Sequence, residues 1–254
     1  MTAGLRKTSR EIELMKESCS IVADVLRLLG PLVKPGVSTA ELDSAAEEFI
    51  RSRGAEPAFK GYGTDKRNLF PASICASVDD EVVHGIPGTR TLAGGEIISI
   101  DVGVRKNGYF GDGAWTFAVG AVPAEKARLM RVTEEALMVG IGRTVAGNRV
   151  HDISAAVQQR VETDGFSVVR DLVGHGIGTR LHEEPAVPNF GSPGTGMVLE
   201  EGMTLAIEPM VNYGTHRVIV DRDGWTIRTS DGQPSAHFEH TVLVTSGAAQ
   251  ILTA

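Results

Sequence analysis

Sulfur and aromatic rings are scarce in this chain. Of its 254 residues only two are cysteine, Cys19 and Cys75, and 5% are aromatic. Two thiols supply neither a disulfide framework nor a thiolate zinc site, so a reducing compartment suits them. No apolar run approaches the roughly 18 residues of a membrane span. The amino-terminal segment Met1-Thr2-Ala3-Gly4-Leu5-Arg6-Lys7 passes to Glu11 and Glu13 without an apolar signal core. A cytoplasmic protein with no membrane partner is expected. Positive charge is short as well, 25 Lys+Arg against 32 Asp+Glu for a formal net charge of −7. Phosphate neutralisation needs clustered cations, so this balance argues against DNA or RNA as a partner. The short basic runs Arg6-Lys7 and Lys66-Arg67 read as solvated surface. With no low-complexity or Pro/Ser-rich stretch, residues 1–254 are expected to form one domain, long enough to bury a core.

A faint internal repeat divides that domain into halves of about 1–120 and 121–254. Gly36, Glu41, Leu42, Ala45, Ile50 and Gly54 recur 111 residues later as Gly147, Asp152, Ile153, Ala156, Val161 and Gly165. Each segment has a glycine turn, an acid in the first helical turn, an apolar stripe and a glycine past the last turn. Longer helical patterns precede them, about Ser9 to Leu29 and Ala124 to Val145. Val/Ile/Thr-rich stretches follow: Ser73 to Val78, Ile97 to Arg105, Tyr109 to Val119, Thr204 to Val211, Val218 to Val220, Trp225 to Thr229 and Phe238 to Val244. Helices segregate from runs of strands, which predicts an antiparallel α+β fold with any site between two related halves.

The sharpest local inference concerns two aspartates. Asn107-Gly108 is a two-residue hairpin turn, and pairing Lys106 with Tyr109 makes partner numbers sum to 215. Asp101 then lies diagonal to Asp112 on one face, with backbones roughly 7–8 Å apart, so both side chains can reach one ion. Asp101 interrupts an apolar strand, where an uncompensated carboxylate is costly. Glu208 in Ala206-Ile207-Glu208-Pro209 and Glu239 in Phe238-Glu239-His240 are similarly placed. Four such acids need a common explanation, and two divalent cations supply it, taking the formal charge from −7 to −3. Glycines flank His175 in Gly174-His175-Gly176, which suits close approach to a ligand. His182 follows in His182-Glu183-Glu184-Pro185, where Pro185 and Ala186 rule out a His-Glu-x-x-His zinc helix. Alone, each of these two histidines reads as structural more readily than as a ligand.

Together these motifs, with Val83-His84-Gly85-Ile86-Pro87 and the turn Val33-Lys34-Pro35-Gly36-Val37-Ser38-Thr39, resemble the type I methionine aminopeptidases of pita-bread fold over nearly the whole chain. The resemblance implies two metal ions, with Asp101 chelating one, Asp112 and Glu239 bridging, and His175 with Glu208 completing the other. Four carboxylates and one imidazole suit Mn²⁺, Fe²⁺ or Co²⁺ at least as well as Zn²⁺. It also implies Glu208 as proton acceptor, His182 as the group facing the scissile carbonyl oxygen, and His84 beside the scissile nitrogen. The implied methionine pocket is Tyr62, Phe70, Cys75 and Trp225, with Phe59 and Leu181, beside a longer loop at Thr64–Leu69. The implied substrates are nascent or newly made chains with a small residue after Met; Met1-Thr2 would qualify this chain as its own substrate. The ribosome is a candidate partner, and a monomer is expected. His151, His216, His237 and His240 receive no metal role, and His240 is expected to hydrogen-bond near Glu239. The rival readings are an Xaa-Pro aminopeptidase or prolidase, which would share the five ligands, and a non-catalytic peptide-binding module. A phosphoester hydrolase has no supporting Gly-rich loop or basic cluster.

Overall fold

The 111-residue repeat is visible in the backbone. In the computed structural model, which describes residues 5–254, α1 (Ser9–Leu29) and α2 (Thr39–Ser52) are followed in the second half by α3 (Ala124–Ile141) and α4 (Val150–Thr163). Helix α4 starts and ends 111 residues after α2 (39 to 150, 52 to 163). Gly36 and Gly147 take φ of 90° and 94°, and Gly54 and Gly165 take 65° and 78°. Both acids cap in the same way. Glu41 accepts from the Ser38 N–H at 2.8 Å, and Asp152 from the Arg149 N–H at 2.7 Å, each satisfying an orphan donor at a helix start. The Met1-Thr2 end lies outside the described residues.

The first half carries β1 (Glu56–Pro57), β2 (Cys75–Val78), β3 (Glu81–Val83), β4 (Ile97–Lys106) and β5 (Tyr109–Ala118). The second carries β6 (Ser167–Val168), β7 (Val173–Gly176), β8 (Glu183–Pro188), β9 (Thr204–Ile207), β10 (Met210–Asn212), β11 (Val218–Val220), β12 (Ile227–Thr229), β13 (Ser235–His237), β14 (His240–Leu243) and β15 (Gln250–Ile251). Strand β4 pairs with β1, β2 and β5, and a five-stranded sheet runs β15-β14-β9-β7-β8. Two three-stranded sheets, β13-β10-β6 and β11-β12-β3, complete the architecture. Every strand pairing is antiparallel. The expected α+β class is therefore observed.

Two large buried clusters form, each drawn mainly from one half. Leu29, Leu42 and Ile50 from α1 and α2 meet Ile98, Ile100 and Val102 of β4. Leu137, Ile153 and Val157 of α3 and α4 meet Leu205, Val211 and Val242. Alternation along β4 leaves Asp101 on the face opposite Ile100 and Val102. The halves are stitched along β5. Ala114 and Glu239 exchange backbone hydrogen bonds, the Thr241 hydroxyl donates to the Asp112 carbonyl at 2.7 Å, and the Thr116 hydroxyl donates to the His237 carbonyl at 2.8 Å.

Two expected strands are broken. The Thr204–Val211 stretch divides at Glu208-Pro209, and the Phe238–Val244 stretch begins only at His240. Pro209 has no N–H to give a ladder, and at these points both chains pass between the five-stranded sheet and the β13-β10-β6 sheet. The register survives the break, since Ile207 pairs with His240 and Met210 with His237. Glu208 thus stands across from Glu239, and both carboxylates occur where the ribbon changes sheets.

Candidate metal centre

The hairpin places the aspartates as its turn predicts. Asn107 and Gly108 both take positive φ, 51° and 84°, and β4 pairs with β5 in the register Lys106 to Tyr109, Asp101 to Ala114 and Gly103 to Asp112. Strand β7 adds His175, paired with Ala206 of β9. The ribbon adds Glu208 and Glu239. Together with His84, His182, Phe59, Tyr62, Phe70, Cys75, Leu181 and Trp225, these five residues line one cavity of about 120 Å³. Each residue given a metal, catalytic or substrate role from sequence therefore faces the same space.

His175 Nδ1 lies 2.9 Å from the carbonyl oxygen of Gly176. A carbonyl only accepts, so Nδ1 carries the proton and Nε2 offers a lone pair. That nitrogen is 3.5 Å from Glu208 Oε1 and 3.9 Å from Asp112 Oδ2. Ligand atoms of Asp112, His175 and Glu239, all buried, lie within 4.8 Å of one another. Burial, followed by the field of Asp101 and Glu208, holds the Asp112 carboxyl well above the usual carboxylate range. Glu239 is raised for the same reasons, burial first and then the charge of Asp112. Burial pushes Asp101 to about 7 and Glu208 to about 8. Asp101 Oδ1 and Glu239 Oε1 are buried with no hydrogen-bond partner among the described residues. Anionic oxygens that are crowded, desolvated and unpaired fit a hard divalent cation, and the donor set of carboxylates plus a bare imidazole nitrogen is what such an ion takes.

The glycines flanking His175 have a different purpose from the one expected. A Cβ at Gly174 would strike the carbonyl oxygen of Ala206, and one at Gly176 that of Glu184. The close approach is to neighbouring strands, which brings β7 tight into its sheet. His84 takes φ 58°, a left-handed conformation that costs a non-glycine residue energy and recurs at functional sites. Burial, with the neighbouring His237 and His182, lowers its pKa to about 4, so its ring is neutral.

The apolar wall is built from both halves. Phe70 meets Trp225 edge-on at 5.3 Å and Phe59 at 6.5 Å. The Thr64–Leu69 loop is closed at its base, where the Phe70 N–H donates to the Tyr62 carbonyl at 2.8 Å. Its C-terminal end is tied to the opposite half by the Trp225 indole N–H, which donates to the Asn68 carbonyl at 3.2 Å.

One residue assignment from sequence changes. Lys7, read as solvated surface, is buried, and its Nζ lies 2.8 Å from Glu183 Oε2, beside His182. No local signal links residues 176 apart. Lys7→Met, which among the described residues leaves Glu183 with only the Thr179 hydroxyl and Arg180 N–H, is expected to lower unfolding stability in denaturant titration by about 3 kcal/mol. His237, given no metal role from sequence, places Nε2 3.6 Å from Glu208 Oε2. Its signal was two-residue alternation with Glu239, which puts both on one face. His240 bonds the Thr253 hydroxyl through Nδ1 at 2.9 Å, and the Glu239 carbonyl oxygen and Thr253 Cβ border the same point beside Gly113.

Residues 13–246 match the sequence profile of metallopeptidase family M24. The chain is 52% identical to the methionine aminopeptidase of Clostridium perfringens over 248 residues, covering 97% of each. The chain belongs to the methionine aminopeptidases of metallopeptidase family M24. The crystal structure of methionine aminopeptidase from Thermotoga maritima superposes with a TM-score of 0.94 at 46% identity, covering 97% of this chain and 98% of that one. Prolidase from Pyrococcus furiosus shares the fold, with a TM-score of 0.79 at 22% identity, and this chain covers 65% of it. The fold is the expected pita-bread fold, and membership of a metallopeptidase family implies a divalent metal. Among the described residues no helix is long and apolar enough to cross a membrane.

Proposed function

We propose that this methionine aminopeptidase removes the initiator methionine from newly made chains whose second residue is small and uncharged, using two divalent ions in the cavity. The observation that carries the reading is the convergence of four buried carboxylates and the bare His175 nitrogen beside an apolar wall of methionine size. Asp101 would hold one ion, His175 and Glu208 the other, with Asp112 and Glu239 shared. Mn²⁺, Fe²⁺, Co²⁺ or Zn²⁺ all suit these donors. Such ions, when bound, lower the pKa of water and polarise a carbonyl group.

The chain's own residues do the rest. Phe59, Phe70, Cys75, Leu181 and Trp225 exclude water from the methionine side chain, and Tyr62 stands at the edge. Glu208 receives the proton of the attacking water. His182 donates to the developing oxyanion, and neutral His84 orients the scissile nitrogen and aids its departure. His182→Ala is expected to retain metal while kcat falls about 10²-fold, as for loss of one oxyanion donor. Unchanged kcat with stoichiometric metal would remove His182 from that role.

The site works in the cytoplasm, where nascent chains arise, as a monomer able to act at the ribosome. The test is hydrolysis of Met-Ala-Ser, Met-Leu-Ser, Ala-Pro and N-acetyl-Met-Ala-Ser by metal-stripped protein, with Mn²⁺ or Co²⁺ restored. Metal-dependent Met release from the first peptide alone is expected. Cleavage of Ala-Pro instead would favour the proline-specific relatives. Silence on all four with metal bound would favour a peptide-binding module.

A further inference from the structure

Tyr62 contributes more than a rim to the cavity. Its hydroxyl lies 2.7 Å from His182 Nδ1, with the rings 5.4 Å apart at 60°. A neutral imidazole has one proton for two nitrogens, and the partner of one nitrogen selects the state of the other. The unprotonated imidazole nitrogen is a better acceptor than a phenol oxygen, and the phenol is a better donor than the imidazole N–H. The shared proton of this contact therefore belongs to Tyr62, which leaves the ring's own proton on Nε2. The hydroxyl keeps that proton at neutral pH, because a phenol ordinarily titrates near about 10 and burial raises this one further. His175 does not compete for Nδ1: its ring packs against His182 at 4.3 Å, but its own N–H is spent on the Gly176 carbonyl. The next residue, Glu183, is anchored by Lys7, so the ring is held at its backbone as well.

We propose that Tyr62 is a positioning residue that locks His182 in the Nε2–H tautomer, so that the ring presents a hydrogen-bond donor to the substrate carbonyl. Tyr62 itself touches no reacting atom. The catalytic consequence rests on the oxyanion reading of His182, whereas the tautomer does not.

The experiment uses full-length, zinc-loaded protein labelled with ¹⁵N-histidine, with His182 identified as the resonances missing from His182→Gln. Long-range ¹H–¹⁵N correlation is expected to show a protonated Nε2 and a bare Nδ1 in wild type, and a tautomer mixture in Tyr62→Phe. The phenyl ring preserves the apolar wall, and the position is 42% exposed, so the fold tolerates the change. With Met-Ala-Ser, kcat is expected to fall about tenfold while KM stays within about twofold, the size of one lost hydrogen bond. A protonated Nδ1 in wild type, or an unchanged tautomer in Tyr62→Phe, would overturn the proposal. An Nε2–H wild type that turns mixed in the variant, in a protein that releases no Met, would uphold the lock and overturn the aminopeptidase reading instead.

Discussion

Glu239→Ala is expected to reduce Met release by about 10³-fold or more and to weaken metal binding in calorimetric titration. The size follows from the charge stabilisation a divalent ion supplies, several kcal/mol, at about 1.4 kcal/mol for each tenfold in rate. The position leaves no substitute: Glu239 stands across the ribbon from Glu208 and exchanges backbone bonds with Ala114, two residues from Asp112. Asp112→Ala should behave alike. The variant's metal-free fold should survive, because the lost carboxylate is one that burial and its neighbours oppose. Its metal-free melting temperature should therefore match or exceed that of wild type. A metal-loaded Glu239→Ala protein with wild-type turnover would sink the bridging assignment.

Metal-stripped wild-type protein is expected to lose stability as pH rises from about 6.5 to 8, and added Mn²⁺ should abolish that loss. The carboxyls of Asp101 and Glu208 titrate near 7 and 8 in the folded chain, against about 4 when unfolded. Over that interval the folded state binds more protons, so unfolding free energy falls with pH. Below about 6.5 the buried histidines oppose this. His84 and His175, lowered to about 4 by burial first, bind protons more readily in the unfolded chain there and so offset part of the carboxylate slope. The carboxylate effect is therefore cleanest between 6.5 and 8. Metal binding requires deprotonated ligands, so the rise in melting temperature on adding Mn²⁺ should be larger at pH 8 than at 6.5. Ion at a thousandfold excess over its Kd contributes about 4 kcal/mol. A metal-free melting temperature that is flat or rising across the window would contradict the four-carboxylate cluster, and Asp101→Asn should flatten the slope.

Much of the site was legible because local rules carried it. The Asn107-Gly108 turn fixed the register that pairs Gly103 with Asp112, and alternation turned Asp101 away from Ile100 and Val102. The repeat of Gly36 and Gly147 survives in backbone angles, because only glycine occupies those conformations without strain. Glu208 and Glu239 stood out as acids in apolar runs, although each lies at a break between strands and not within one. Lys7 and the Gly174–Gly176 pair were misread for one reason. Their partners lie far along the chain, and nothing in a local pattern records them.

The sequence by itself determined the helices, the first hairpin, the identity of the acids and, by resemblance, the family. Hydrogen bonding between near neighbours and side-chain periodicity act over a few residues, so they leave traces that can be read. Tertiary structure alone decided that Lys7 anchors the residue beside His182, that the Tyr62 hydroxyl meets His182, and that Glu208 faces Glu239 across a kinked ribbon. Those contacts join segments brought together only when two separate cores pack along β5, and it is that packing, not any run of residues, that sets the distances between the groups of the site.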